Sequence, residues 1–363
     1  MAPILIKTGL QSYEAHVGRG LLERAGALIS AKLKGPSCAV ISDDNVARIF
    51  ADRVLLNLTR AGFKPLLIIV SSGEKSKSLR EVETICNQMS NAGLDRSSFV
   101  LALGGGVVGD LAGFVAAVYH RGIPYVQMPT TMLAQVDSSI GGKTAVNITR
   151  GKNLIGAWHQ PVMVISDTDT LTTLPGREFR QGFAEMVKHA VIRDPSMLEM
   201  LEHFRPEELP DLIRRNIAIK ASIIGVDERE TTGQRALLNF GHTVGHAIER
   251  AGGFCELLHG EAISLGIVAA CEISVRKAGL SEKDRDRIVN LLRRFDLPTW
   301  LPPDFPREKI LEEIRFDKKS ASGQLRFVVI SEIGSAHVTT EVAMEDIYEV
   351  VSAGLQVSSK DLE

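Results

Sequence analysis

The 363-residue chain has four cysteines, almost no net charge and no stretch of about 20 consecutive apolar residues. Each shortage excludes something. Cys38, Cys86, Cys255 and Cys271 show neither CxxC spacing nor a dense framework, so buried thiols in a reducing cytoplasm are the plain expectation. Without a long apolar run no membrane span is expected. Residues 1–12 lack a basic segment followed by an apolar region, so no secretory leader is expected either. A formal charge of -2, from 42 basic and 44 acidic side chains, gives no support for broad binding to nucleic acid or to a membrane surface. It leaves room for a local basic pocket that takes a small anionic substrate.

What is present is an ordinary globular composition, 44% hydrophobic and 24% charged, able to bury sizeable cores. At roughly 150 residues per domain, the length suggests two domains. After an expected hairpin at residues 3–7 and 13–17, buried-strand candidates recur at residues 38–41, 66–70, 99–103, 125–128 and 162–165. Helical spacing lies between most of them. Alternating strands and helices predict βαβ units and a mostly parallel sheet. Beyond about Pro175 the pattern becomes amphipathic helix, clearest at residues 214–226, 236–251 and 260–278. A small hairpin is expected at residues 325–330 and 337–342, on either side of Gly334. The expected architecture is an α/β nucleotide-binding domain over residues 1–175 and a mainly α-helical domain over residues 176–363.

The strand candidate at residues 99–103 runs into Gly104-Gly105-Gly106-Val107-Val108-Gly109-Asp110. Gly104, Gly106 and Gly109 match GxGxxG between a strand and a helix. In that context, glycine lets the backbone approach a pyrophosphate and the helix N-terminus supplies amide donors. The acid expected about 20 residues on, to hold a ribose, is missing, because that region reads Met128-Pro129-Thr130-Thr131. Acids instead follow two earlier strand candidates, in Ser42-Asp43-Asp44-Asn45 and in Gly73-Glu74-Lys75-Ser76-Lys77. Each group alone is more often a solvated turn.

The second half carries the strongest chemical signal. Glu185, Lys188 and His189 share a helical face by i+3 and i+4 spacing. Arg235, Asn239, His242 and His246 are four, three and four apart, and would project from one side of a continuous helix. His259 and Glu261 open the next helical pattern. Any one of these histidines alone is more often a satisfied core or surface group. Together they offer what a catalytic zinc site needs, three protein ligands and one open position. Spacing alone does not choose His242 with His246 over His242 with His259. Elsewhere, Lys143 and Lys152 are candidate anion binders in a polar, glycine-rich stretch. A P-loop is excluded there, because Asp137 stands where GxxxxGK[ST] needs its first glycine. Arg121 and the run Asp317-Lys318-Lys319 are further cations, of a kind usually solvated.

Together these strings resemble the 3-dehydroquinate synthase family over nearly the whole chain. The most specific stretches are residues 104–110, 129–131, 137–147, 184–189, 238–249 and 259–266. The resemblance implies Glu185, His242 and His259 as ligands of one divalent metal, zinc or cobalt. It implies NAD contacts from Asp43, Glu74, Lys77, Gly105, Gly106, Val107, Asp110, Thr130, Thr131, Lys143, Lys152, Thr173, Leu174 and Glu178. Substrate contacts would come from Arg121, Asp137, Lys143, Asn153, Lys188, Arg235, Asn239, His246 and one of Lys318 and Lys319. Lys152, Lys188, His246, Asn239 and Asp137 are the candidate catalytic groups.

The implied reaction turns 3-deoxy-D-arabino-heptulosonate 7-phosphate into 3-dehydroquinate and phosphate, the second step of the shikimate route to chorismate and the aromatic amino acids. A cytoplasmic homodimer is implied as well. Two rival readings are another sugar phosphate cyclase and a metal-dependent polyol dehydrogenase of the glycerol dehydrogenase type. A non-catalytic nucleotide-binding protein is the third.

Overall fold

The computed structural model describes residues 2–9, 11–253, 257–320 and 325–355, without the side chains of residues 316–320. Cys255 and the side chains of Lys318 and Lys319 therefore lie outside the described residues. The chain forms two compact units, Met1–Leu174 with Leu209–Arg229, and Pro175–Glu208 with Glu230–Glu363.

The first unit is built on a seven-stranded sheet. Its strands are β1 (Ile4–Lys7), β2 (Ser12–Gly18), β3 (Ser37–Asp43), β4 (Lys64–Val70), β5 (Phe99–Gly104), β6 (Tyr125–Pro129) and, after an antiparallel ribbon of β7 (Lys143–Ile148) and β8 (Gly151–Trp158), β9 (Met163–Asp167). The spatial order is β1-β2-β9-β6-β5-β3-β4. Only β1 pairs antiparallel with its neighbour; the other pairs of this sheet are parallel. Both faces are covered, which is why the strands read as continuous apolar runs. The two-residue period assigns each face its own core. Val100 and Ala102 join Ala39, Ile41, Ile85 and Leu111 on one side. Phe99, Leu101 and Leu103 join Val40, Phe50, Val54 and Leu58 on the other.

The helices of this unit are α1 (Ala25–Lys32), α2 (Asp44–Arg60), α3 (Leu79–Asn91) and α4 (Gly106–Val118). The parallel strands point their C-terminal ends the same way. Chain order reverses between β3 and β5, since β4 lies beyond β3 while β5 and β6 run the opposite way across the sheet. Such a switch point opens a crevice at the carboxyl ends of the strands, the usual ligand position in open α/β sheets.

The second unit opens with α5 (Gly176–Arg193) and α6 (Pro195–Glu202). The following helix, α7 (Leu209–Val226), belongs to the first unit, where it packs on β1. The second unit resumes with α8 (His242–Ala251), α9 (His259–Lys277), α10 (Glu282–Arg294), α11 (Arg307–Ser320), the hairpin of β10 (Phe327–Glu332) and β11 (Ser335–Thr339), and α12 (Met344–Ser352). Several starts are written in the sequence. Asp194 accepts the Met197 amide with Pro195 in the first helical turn of α6, and Ser281 accepts the Asp284 amide at α10. In the core of this unit Phe183 stacks on Phe295 at 3.9 Å between ring centroids.

One sequence expectation changes. Residues 236–251 do not form one helix. Arg235–Asn239 is a short 3₁₀ turn, the backbone reverses at Gly241 (φ +78°), and α8 starts afresh at His242. The apolar period runs through this break because Leu237, Leu238, Phe240 and Val244 are all buried on either side of it. Periodicity reports burial and is blind to the sign of one φ. Arg235 and Asn239 therefore do not share a helical face with His242 and His246.

Candidate metal centre and cofactor loops

In the second unit three elements converge on one carboxylate. Glu185 lies in the buried half of α5 with 0% exposure, beside Lys188 at 1% and His189 at 0%. Its Oε1 is 3.4 Å from Nε2 of His242, at the start of α8, and 3.4 Å from Nε2 of His259, at the start of α9. Its Oε2 is ion-paired with Lys188. Two backbone approaches allow this convergence. A side chain at Gly260 would put its Cβ 2.1 Å from the Gln181 carbonyl oxygen, so only glycine lets α9 begin against α5. A Cβ at Gly266 would fall 2.0 Å from the Gly241 carbonyl oxygen, so α8 and α9 meet backbone to backbone.

The outer nitrogens of both imidazoles are held. Nδ1 of His242 faces the Phe240 carbonyl at 3.2 Å, and Nδ1 of His259 faces the Glu249 carboxylate at 3.4 Å. Both partners only accept, so each Nδ1 carries the proton. In the neutral rings the two Nε2 lone pairs then converge on a carboxylate oxygen, an arrangement that a cation between them stabilises. Two donors bound about 2.0–2.1 Å from one tetrahedral ion stand about 3.3–3.4 Å apart. The donor set and its spacing fit a divalent metal, and Glu185, His242 and His259 all offer ligand atoms within 4.8 Å of one another.

The electrostatics follow from the crowding. Burial alone would raise the Glu185 carboxyl, but Lys188, His242 and His259 outweigh it and hold the group well below the ordinary range. Burial followed by the charge of Lys188 lowers His242. Burial also works to lower His259, yet its hydrogen bonds with Glu185 and Glu249 win, and without an ion it sits at about 9. His246 faces His242 edge-on at 5.0 Å between ring centroids. The residue is exposed, yet desolvation by the atoms around the ring, and then the charge of the two neighbouring imidazoles, push its pKa well down and keep it neutral. The turn carrying His259 is tied down separately. Arg177 makes two 2.7 Å hydrogen bonds to Glu261, whose Oε2 accepts the Leu258 amide at 2.8 Å.

In the first unit, the candidate cofactor residues gather at the C-terminal ends of neighbouring strands. Asp43 ends β3, Glu74 and Lys77 follow β4, Gly105, Gly106, Val107 and Asp110 follow β5, Thr130 and Thr131 follow β6, and Thr173 and Leu174 follow β9. Gly105 is the N-cap residue of α4, so the amides of its first turn face out of the glycine loop. Asp43 Oδ1 caps α2 by accepting the Asn45 and Val46 amides at 2.9 and 3.0 Å. Lys77, 4% exposed, donates to both Asp110 and Asn153. Burial pushes the Asp110 carboxyl up, against the opposing charge of Lys77.

The ribbon supplies the remaining groups of this unit. Lys143 lies over the Trp158 ring, 5.3 Å from its centroid, Lys152 and Asn153 lie on β8, and Asn153 adopts a left-handed backbone (φ 59°). Asp137 accepts from Lys220 through both its side chain and its backbone carbonyl, each at 2.8 Å. Arg121 is exposed, also with a positive φ (69°). In the second unit Glu178 accepts from Gln181, Arg235 is buried and Asn239 is exposed.

Three participants escape the sequence reading. Lys220 carries no motif signal on an otherwise amphipathic helix. Asn147 donates to Glu74 at 2.8 Å and accepts the Asn153 amide at 2.9 Å, a link visible only once the ribbon folds back. Glu249 could have been noticed three residues after His246, on the same helical face.

A parallel α/β sheet with a glycine loop, joined to a helical unit holding this donor set, defines the class: the chain has the fold of the sugar phosphate cyclases. Residues 67–181 match the 3-dehydroquinate synthase N-terminal family and residues 182–320 the 3-dehydroquinate synthase C-terminal family. The chain is 43% identical over 359 residues to 3-dehydroquinate synthase of Desulforamulus reducens, covering 97% of this chain and 100% of that one. It therefore belongs to the 3-dehydroquinate synthase family.

Among solved structures, 2-deoxy-scyllo-inosose synthase complexed with carbaglucose-6-phosphate, NAD+ and Co2+ superposes with a TM-score of 0.88 at 27% identity, covering 97% of this chain and 100% of that one. The 2-epi-5-epi-valiolone synthase of Streptomyces hygroscopicus subsp. jinggangensis, with NAD+ and Zn2+ bound, gives 0.86 at 27% identity, covering 95% and 97%. No helix among the described residues is long and apolar enough to cross a membrane.

Proposed function

We propose that the chain is a carbon–oxygen lyase that converts 3-deoxy-D-arabino-heptulosonate 7-phosphate into 3-dehydroquinate and inorganic phosphate. It uses NAD as a recycled cofactor and one divalent metal, zinc or cobalt, and acts in the cytoplasm as a homodimer. The observation that carries this reading is the pair of imidazole Nε2 atoms, each 3.4 Å from one oxygen of the buried Glu185, in a chain alike end to end with 3-dehydroquinate synthases.

NAD would supply reversible hydride exchange with a substrate alcohol, leaving no net oxidation. A divalent metal there would supply Lewis acidity toward a substrate oxygen. The rest falls to side chains. Glu185, His242 and His259 hold the metal. Lys188, fully buried against Glu185, places a positive charge where it would stabilise negative charge developing on the substrate oxygen as its carbon is oxidised and later reduced. His246, exposed and 5.0 Å from His242 between ring centroids, is the candidate to relay one proton. Lys143, Lys152, Asn153, Arg121, Arg235, Asn239 and one of Lys318 and Lys319 orient the phosphate and carboxylate. The Asp137–Lys220 pair sets the local charge balance. Positioning of this kind contributes up to about 7–11 kcal/mol when a reaction closes a ring within one molecule.

The test supplies heptulosonate phosphate, metal and a trace of NAD, and follows phosphate and NADH absorbance together. Phosphate in large excess over NAD with no lasting NADH is expected. Stoichiometric NADH from glycerol would instead indicate a polyol dehydrogenase, and turnover only with another heptulose phosphate would indicate a different cyclase. Glu185→Ala and His259→Ala should each abolish metal uptake; retained metal stoichiometry and activity in either would reject the ligand assignment.

A further inference from the structure

We infer that Glu249 is a positioning residue for the metal centre, holding His259 in the one tautomer and ring orientation that can present a ligand nitrogen to the ion. The inference rests on the metal-site reading above and extends it to a residue outside the ligand set. Glu249 lies on α8, one turn beyond His246, and its side chain is 12% exposed. Its Oε2 is 3.4 Å from Nδ1 of His259, while the opposite nitrogen of that ring, Nε2, faces Glu185 Oε1 at 3.4 Å. The imidazole is therefore suspended between two carboxylates on different helices, α5 and α8, while its own backbone starts α9.

The two imidazole ligands are supported unequally. The outer nitrogen of His242 rests on the Phe240 backbone carbonyl, which comes with the fold whatever side chains surround it. The outer nitrogen of His259 rests on a side chain that one substitution removes. A carboxylate also does more than a carbonyl: it fixes the Nδ1–H tautomer, and its charge makes Nε2 a stronger donor. His246 lies close by, since His246, Glu249 and His259 bring ligand-type atoms within 4.8 Å of one another. Loss of Glu249 leaves His259 free to turn about its χ2 or to move its proton to Nε2, and either change removes a ligand.

The experiment strips the purified full-length protein with a chelator and titrates Co2+ into the parent, Glu249→Ala and Glu249→Gln. It reads affinity by competition with a chromophoric chelator and ligand geometry from the visible absorption band of bound cobalt. Glu249→Ala should weaken cobalt binding by about 10–100-fold and alter the band. Glu249→Gln keeps an acceptor oxygen without the charge, and should lose about tenfold with the band shape retained. Circular dichroism of the stripped proteins checks that the fold survives. Should Glu249→Ala not fold, Glu249→Gln decides alone. A parent that binds cobalt beside variants that bind within twofold of it, with the same spectrum, overturns this inference only. A parent that takes up no cobalt overturns the metal-site reading and this inference with it.

Discussion

Gly266→Ala is the substitution whose consequences the structure specifies most closely. The added Cβ would lie 2.0 Å from the Gly241 carbonyl oxygen and 2.7 Å from the Gly245 amide nitrogen, both backbone atoms that cannot rotate away. Carbon and oxygen in contact need about 3 Å or more, so α8 and α9 must separate by about 1 Å. Overpacking of this kind costs about 1–3 kcal/mol. In a domain of 150–250 residues each kcal/mol lowers the melting midpoint by about 2–4 °C. The metal-free protein should therefore melt about 2–12 °C lower.

The same displacement acts on the site, because His242 opens α8 and His259 opens α9. Ligand distances tolerate only about 0.2 Å, a fifth of the imposed shift, so divalent-metal affinity should fall at least tenfold. Excess metal should recover much of the lost turnover. Gly18→Ala is the control, since a Cβ there meets nothing within 4 Å. The measurements are thermal melts of stripped protein and chelator-competition titrations of parent and both variants. An unchanged midpoint and an unchanged metal dissociation constant in Gly266→Ala would refute the claim that backbone contact between these helices sets the ligand spacing.

Two other outcomes are expected. Asn147→Ala removes the hydrogen bonds that tie Glu74 to the Asn153 amide, at about 1 kcal/mol each. NAD should then dissociate about 5- to 30-fold more readily by calorimetric titration, and an unaltered constant would show that the ribbon does not brace the cofactor loops. The Arg287–Glu202 pair, bonded at 2.6 and 2.7 Å between α10 and α6, holds Glu202 below the ordinary glutamate value, chiefly through the guanidinium hydrogen bonds. A depressed carboxyl stabilises the fold above its ordinary pKa, about 4.3, and that stability is lost as pH falls through the lower folded value. Both side chains are a quarter to a third exposed, so the loss should stay below about 1 kcal/mol. Urea midpoints from pH 6 down to 3 should fall less steeply in Arg287→Met; parallel curves would dismiss the pair.

What the sequence discloses depends on whether burial is local. β5 is legible because all six of its residues are buried, leaving an apolar run bounded by the glycine loop. β3, β6 and β9 are read in the same way. The β7–β8 ribbon is not, because it lies outside the sheet: β7 buries three residues in a row, while every residue of β8, Leu154 and Trp158 included, is at least partly exposed. Its stability comes from strand pairing and from distant partners such as Lys77, whose backbone carbonyl accepts the Asn147 amide at 2.8 Å. The π-helical turn Ala134–Ser138 is equally hidden, since no residue pattern marks an i+5 ladder. At the metal centre, spacing brings forward His242, His246 and His259 without ranking them. What distinguishes them is the approach of α9 to α5 at Gly260, which puts Nε2 of His242 and of His259 at equal distances from one Glu185 oxygen. Lys220 acts across elements, on Asp137, where no period reaches.

The topology offers another position for an acid beside the glycine loop. In an ordinary dinucleotide fold the glycine loop follows the first strand, and the acid ends the next one. Here the glycine loop follows β5, and the next strand, β6, ends in Pro129 with Thr130 and Thr131 beyond it. β5 has a second parallel neighbour, however. β3 pairs with it through Cys38–Phe99 to Ser42–Leu103 and ends one residue later, at Asp43. Adjacent strands lie about 4.8 Å apart, so a carboxylate at the end of either neighbour is equally close to a ligand seated on Gly105 and Gly106. An acid at the end of the neighbouring strand β3 also lies at the switch point, with Glu74 and Lys77 after β4, one strand further out. A search confined to the 20 residues after the glycines cannot find this arrangement, because the chain has passed the position about 60 residues earlier.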